Sequence, residues 1–485
     1  MIKKLKELEK AASPLEPKAK ERKEIRKKII DYTETFLKDI YKSKAYQTNS
    51  DNGLSLLESP ISEKKININK ALELLRTNVD ATGINPASGG HLGYIPGGGI
   101  YFSSLGDYMA AITNRYAGIF FANPGAVRME NMLIEWLAKI VGYPINTAGN
   151  LSSGGSMANL IAIVTARDAH KFQSKDISKT VIYLSEHAHH CLDKAFRIAG
   201  LNECIKRNIP LDEKFRIIPE EMEKAIKKDK KNGLRPWMII ASAGTTDVGA
   251  IDPLDTLGDI AKRNKLWFHI DAAYGGFFIL TKEGKKKLKG IEKSDSIVMD
   301  PHKGLFIPYG LGVVLIKNKK QMMKSHFYQA NYMQDTFSNE EEVSPADLSP
   351  ELTKHFRGLR LWLPLKLIGL SPFQAALEEK LLLARYFYQK IKKINGFEVG
   401  PEPELSVVTY RYIPKKEDPN KFNEELVKLI HSDGRVFISS TMINGKFTLR
   451  MAILSFRTHL KTIDLALKII NEKVKMLEDS NTNNS

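Results

Sequence analysis

Hydrophobic positions in the middle of the chain fall into short dense runs separated by longer amphipathic stretches. TVIYLS (180–185), WMIIASA (237–243), LWFHID (266–271), SIVMD (296–300) and GVVLI (312–316) are β-rich and of strand length. NLIAIVTARDAH (159–170) and DTLGDIAKRNK (255–265) read as helices, as does MENMLIEWLAKIV (129–141), with Gly142 and Pro144 as its stop. Strands alternating with helices predict an α/β fold with a largely parallel sheet covered on both faces. Ligands of such sheets bind beyond the carboxyl ends of the strands. The first four runs end there in small or polar residues.

The flanks differ. Residues 1 to about 30 alternate Glu and Lys with few apolar anchors, as a charged helix or a partly disordered extension does. Residues 41–65 are rich in Asn, Ser, Gly, Asp and Pro and read as loop. Beyond about 365 a long amphipathic helix, PFQAALEEKLLLARYFYQKIKKI, leads into strand-like SVVTYRYI and FTLRMAIL, with helical stretches at 422–431 and 462–477. This divides the chain into an N-terminal extension (1–100), a large domain (101–365), a smaller α+β domain (366–478) and a tail (479–485) expected to be disordered.

Composition narrows the class. With 42% hydrophobic residues the chain is too apolar for wholesale disorder, and its length supports a core without disulfides or metal. Two cysteines, Cys191 and Cys204, cannot form a disulfide framework, which suits a reducing compartment and a cytoplasmic protein. No apolar run approaches the ~18–20 residues of a membrane span, and no apolar segment follows the basic N-terminus. The net charge of +17 is spread along the chain without interleaved aromatics or a nucleic-acid-binding motif. A lysine-rich solvated surface is therefore expected, with no nucleic-acid or membrane partner.

Four segments carry chemistry. SIVMDPHKGLFIPYG places Lys303 just past a buried strand, where partial desolvation would lower its pKa and make it a nucleophile for a carbonyl. The plain alternative is a surface lysine after a turn. In LWFHIDAAYGG, Asp271 ends an apolar strand, a costly place for a carboxylate unless it meets a cation such as a protonated pyridine nitrogen. It could also simply cap a turn. Gly154, Gly155 and Ser156 lead into a helix and form either an anion cradle or an ordinary N-cap. SEHAHHCLDKA holds His187, His189 and His190, with Cys191 alone as an adjacent thiol. No ligand pair completes a zinc site, so no metal is expected and an imidazole against a planar cofactor is the better use. A lysine, a strand-end aspartate, a phosphate cradle and a flat imidazole together describe pyridoxal phosphate.

From about residue 68 to at least 370 the chain resembles the group II pyridoxal-phosphate-dependent amino-acid decarboxylases, the aromatic-amino-acid and glutamate decarboxylase family. The likeness rests on GYIPGGGIYFSSLGDYMAA, NPGAVRMENMLIEWLAKIVGYP, the glycine–serine turn, the His189 segment, ASAGTTDVG, HIDAAYGG, DPHKG and FRGLRLWLPLKLIG. It implies the aspartate-aminotransferase-like fold type I and a homodimer with shared active sites, the extension being dimer-forming. It also implies that Lys303 carries the cofactor, that Asp271 pairs with its ring nitrogen and that His189 stacks on the ring. Gly154, Gly155 and Ser156 would hold the phosphate with help from position 300. Thr246 and Ala273 would line the cofactor, and His302 would sit beside Lys303. Tyr94 and Arg357 would fall near the substrate, with Phe102 and Phe120 as further aromatic candidates.

Several positions depart from the family pattern. Asp300 stands where asparagine is common; repelled by a phosphate, it would bind backbone amides instead. Gly304 follows the lysine where many members are bulky. Gly97 to Gly99 replace bulkier residues, either opening the pocket or bending the backbone. The loop tyrosine that protonates the substrate carbon in aromatic-amino-acid enzymes would fall near Ser344–Pro345, where none stands. Tyr328 and Tyr332 lie upstream. The expected reaction is decarboxylation of an L-amino acid to its amine, aromatic substrates being favoured over acidic or diamino ones. An oxygen-using aldehyde synthase or another carbon–carbon lyase is the rival within the family, and a non-catalytic basic binding protein the rival outside it.

Overall fold

Seven strands build the central sheet of the computed structural model, which describes residues 1–48, 51–327 and 342–483. They are β1 (Ala148–Ser152), β2 (Thr180–Leu184), β3 (Ile205–Asn208), β4 (Arg235–Ser242), β5 (Trp267–Asp271), β6 (Ser296–Met299) and β7 (Gly312–Ile316). Their spatial order is β1-β7-β6-β5-β4-β2-β3. Pairings from β3 through β6 are parallel, and β7 runs antiparallel to both of its neighbours. The two strands not foreseen carry weak signals: AGNLS has one large apolar residue, and IKRN is a polar edge strand with alternating exposure.

Helices cover both faces. Two N-terminal helices, α1 (Ile2–Ala12) and α2 (Ala19–Asp39), bury no residue of this chain. Helix α3 (Pro124–Val141) starts where the Asn123 side chain accepts the Ala126 amide and stops at Gly142, whose φ of +84° suits glycine. Its Leu133 and Leu137 share a core with Phe268 and Ile270 of β5. Helix α4 (Gly155–Ala169) covers the opposite face, packing Ile161, Ala162 and Ala166 with Trp237 and Trp267. Side chains alternate along a strand, so His269 and Asp271 of β5 fall on the Trp267 side, under α4.

A second, antiparallel sheet of β8 (Phe397–Val399), β9 (Val407–Tyr412), β10 (Ser439–Ile443) and β11 (Lys446–Ala452), ordered β8-β9-β11-β10, shares a core with α5 (Ser371–Ile391). The closing helix α6 (Leu460–Asn483) continues past residue 479, where the sequence suggests a disordered tail. Nothing in LEDSN breaks a helix already anchored by buried Ile469, Ile470 and Val474, and Ser480 bonds back to the Met476 carbonyl. Among the described residues no helix is long and apolar enough to cross a membrane.

Candidate active site

The carboxyl ends of β4, β5 and β6 open into a cavity of about 280 Å³. Every residue expected to hold the cofactor lines it: Gly154, Gly155 and Ser156 at the start of α4, His189, Thr246, Asp271, Ala273, Asp300, His302 and Lys303. Lys303 and His302 ride on a single helical turn, Pro301–Gly304, directly after β6. Gly304 is required there, because a Cβ would stand 2.7 Å from the Phe277 Cβ. Gly97 is the matching contact on the other side. Its missing Cβ would lie 2.0 Å from the His302 carbonyl oxygen, so it lets the 97–99 segment press on the lysine turn.

The electrostatics of Lys303 differ from the desolvation expectation. Burial does push its pKa down, but the Asp300 carboxylate, 2.8 Å from Nζ, outweighs it and the pKa lies above lysine's usual value. Among the described residues no backbone amide donates to the Asp300 side chain. Its Oδ2 meets the lysine, and its Oδ1 is buried with no hydrogen bond from them. His302 donates from Nδ1 to the Leu311 carbonyl (2.6 Å), and burial holds its pKa below the usual histidine value despite nearby Asp300. His189 is likewise depressed by burial, with Asp271 opposing. Its Nδ1 accepts the Cys191 amide (3.2 Å), which leaves Nε2 as the protonated nitrogen. Cys191, against the same wall, is pushed by burial up to about 12 and is no nucleophile.

At the end of β5, Asp271 is buried and takes one neutral donor on each oxygen: the Ala273 amide (3.1 Å) on Oδ1 and the Asn159 amide nitrogen (3.3 Å) on Oδ2. Among the described residues no lysine or arginine pairs with it. The far wall is held from the second sheet by Arg450 of β11. Its guanidinium donates to the carbonyls of Thr246, Asp247 (2.8 Å) and Tyr94 (3.3 Å) and to Ser439 Oγ (2.7 Å).

The four residues expected near the substrate are not in the lining of this cavity. Arg357 is locked by two 2.8 Å bonds to Glu351 and one to the Leu151 carbonyl (3.1 Å). Tyr94 has φ +50° and is more than half exposed, its ring near Phe437. Phe102 lines a separate apolar recess with Tyr101 and Phe306. Phe120 lies under Arg128, and its amide bonds Ser344 Oγ (3.0 Å). Tyr328 and Tyr332 lie outside the described residues. Sequence reasoning missed Asn159, His269, Ser296 and Arg450. Two of them carried a signal: His269 shares a face with Asp271 two residues on, and Ser296 is its partner in register on β6.

These groups fit pyridoxal phosphate. A Cβ on Gly155 would fill the cradle, coming within 2.9 Å of Asp300 Oδ2 and 3.3 Å of the Ala273 Cβ. Helix α4 offers its free amides and dipole to an anion there, with the amine of Lys303 and the carboxylate of Asp271 on the same cavity. A mainly parallel sheet with this site at its carboxyl edge defines a fold type I pyridoxal-phosphate enzyme. The model of the pyridoxal-dependent decarboxylase conserved domain matches residues 57–413. An aromatic-L-amino-acid decarboxylase of Bacillus atrophaeus is 34% identical over 393 residues, 79% of this chain and 82% of that protein. A phenylacetaldehyde synthase of Arabidopsis thaliana is 29% identical, over 79% and 81% respectively. The crystal structure of Oryza sativa TDC with PLP and tryptamine shares the fold at a TM-score of 0.89 and 23% identity, over 96% of this chain and 99% of that one. The chain belongs to the pyridoxal-dependent decarboxylase family, and is a carboxy-lyase that uses pyridoxal phosphate.

Proposed function

We propose that this enzyme decarboxylates an aromatic L-amino acid to its amine and carbon dioxide. The observation that carries the substrate class is a second cavity of about 390 Å³ that shares His302 with the first. Phe36, Ile84, Pro86, Ile307, Pro308 and Tyr309 give it an apolar lining. The name of the Bacillus relative supports the same class.

Pyridoxal phosphate, when bound, supplies the electron sink that makes loss of the carboxyl group feasible. The side chains supply the rest. Lys303 reacts as a free amine, so its ammonium must first give up a proton, and Asp300 Oδ2 is the base within reach. Asp271 would keep the ring nitrogen protonated. Neutral His189 would cover the ring without adding charge, and the amides of Gly155 and Ser156 would hold the phosphate. Thr246, Ala273 and His302 would complete the cofactor walls.

A second reading rests on residues 344–345. Ser344 accepts the Phe120 amide, and buried Pro345 begins a short helical turn, so no acid stands where the loop tyrosine would be. Without that proton donor the amino acid, dioxygen and water could instead give aldehyde, carbon dioxide, ammonia and hydrogen peroxide. One incubation of cofactor-loaded enzyme with pooled aromatic, acidic and basic amino acids separates the readings. Mass spectrometry should find an aromatic amine without peroxide. Aldehyde with stoichiometric peroxide would install the oxidative reading, and an amine from glutamate or a diamino acid would overturn the substrate class.

The same reading makes the enzyme a cytoplasmic homodimer with shared active sites. Its support is the absence of any buried residue on α1 and α2, which expose Ile2, Leu5 and Leu8, and the two unpaired cysteines. Light scattering should return twice the 54.6 kDa chain mass, and deletion of residues 1–39 should return the monomer. A full-length monomer would exclude the dimer.

A further inference from the structure

Behind Asp271 lies a chain of buried polar side chains, of which Asn159 borders the cofactor cavity while Trp267, His269 and Ser296 lie behind it. Trp267 Nε1 donates to Ser296 Oγ (2.8 Å), Ser296 Oγ meets His269 Nδ1 (2.8 Å), and His269 Nε2 meets Asn159 Oδ1 (2.8 Å). Asn159 Nδ2 then faces Asp271 Oδ2 (3.3 Å) and Cys191 Sγ (3.5 Å). His269, Ser296 and Asn159 are fully inaccessible to solvent. Burying so many polar groups in an apolar sheet is costly unless each is satisfied.

Among the side-chain hydrogen bonds of the described residues, one arrangement of protons satisfies them all. An indole nitrogen can only donate, so Trp267 occupies a lone pair of Ser296. Among the described residues the Ser296 hydroxyl proton then has His269 Nδ1 as its acceptor. That leaves the His269 proton on Nε2, so the atom facing it must be the Asn159 carbonyl oxygen. The Asn159 amide hydrogens are thereby turned toward Asp271. The opposite orientation would set the Asn159 oxygen against the Asp271 carboxylate. Burial holds the His269 pKa down to about 4, so the ring stays neutral and this order persists at physiological pH.

We propose that Asn159 and His269 are positioning residues acting through Asp271, the neutral imidazole fixing the Asn159 carboxamide so that it steadies the carboxylate without neutralising it. An arginine or lysine in that place would consume the carboxylate's charge. An amide dipole leaves that charge available for the protonated ring nitrogen of the cofactor. The inference rests on Asp271 being the partner of that nitrogen, and the test separates the two claims.

The full-length chain, stripped of cofactor, is titrated with pyridoxal phosphate and with its analogue bearing C–H in place of the ring nitrogen. Wild type should prefer the natural cofactor. Asn159→Ala should cut that preference by about tenfold or more, the scale of one hydrogen bond to a charged group, while leaving affinity for the analogue unchanged. His269→Phe should do the same, and His269→Gln, which keeps a donor opposite Asn159, should restore most of the preference. Equal losses for both ligands, or an unaltered preference, would overturn the proposal. A wild type that does not distinguish the two ligands would overturn the Asp271 reading itself. Should the variants not fold, nitrogen NMR of the wild-type chain still decides: His269 must carry its proton on Nε2 from pH 5.5 to 8, and the other tautomer or a doubly protonated ring sinks the idea.

Discussion

Lys303 and Asp300 set the working pH of the site. Their separation of 2.8 Å makes the lysine an ion-paired ammonium, held above its usual pKa although burial alone would lower it. Removing the carboxylate leaves burial unopposed, so Asp300→Asn should move the midpoint for capture of pyridoxal phosphate by the stripped enzyme to lower pH. Absorbance stopped-flow across pH reads this directly, and an unmoved midpoint would show that Asp300 is not the controlling partner. The sequence marked Lys303, Asp271 and His189 because residue type and strand-end position are legible one segment at a time. It misjudged the lysine because the outcome is a contest between burial and one neighbour. That neighbour stands three residues away on a single turn, and only its distance decides the winner. Asn159 and His269 were passed over because their roles depend on a contact between a helix and a strand some 110 residues apart.

The strand runs of the seven-stranded sheet were readable as elements because parallel strands buried on both faces concentrate apolar residues. The reversed direction of β7 was not, since GVVLI looks the same either way. The ambiguity over Gly97 to Gly99 is resolved by packing: Gly97 permits close approach, while Gly98 and Gly99, both with positive φ, line the cavity beside Tyr309. Gly97→Ala would drive a methyl group into the His302 carbonyl, and the lysine turn or the 97–99 segment must give way. A loss of about 1–3 kcal/mol in unfolding free energy is expected, together with weaker cofactor binding. Denaturant titration and fluorescence titration of the cofactor measure the two, and a variant normal in both would mean that the contact relaxes freely.

At the scale of the whole molecule, stability should carry the mark of a buried acid. Asp252 accepts the amides of Ile217 (2.8 Å) and Ser242 (2.7 Å), yet burial raises its pKa to about 6. The unfolded chain releases this proton near pH 3.9, so between there and 6 the folded state binds more protons and stability falls as pH rises. The group's contribution is whole below about pH 4 and lost above 6, a change of roughly 2–3 kcal/mol. The stability difference between wild type and Asp252→Asn, from urea titrations at pH 4.5 and 7, should shift against wild type at the higher pH. A difference that does not change with pH would place the Asp252 pKa near its ordinary value. Arg450 bears on a different question, that of where this enzyme could be cut. The conserved-domain match ends at residue 413, yet the guanidinium that fastens the Thr246–Asp247 turn and the Tyr94 carbonyl lies beyond it, at 450. A fragment trimmed to that match would keep the lysine, the aspartate and the anion cradle and still lose the brace of one wall. The stretch matched by the domain model is therefore smaller than the folded unit that braces the site, and shuffling or truncating this scaffold has to carry the last strand of the second sheet along with the first.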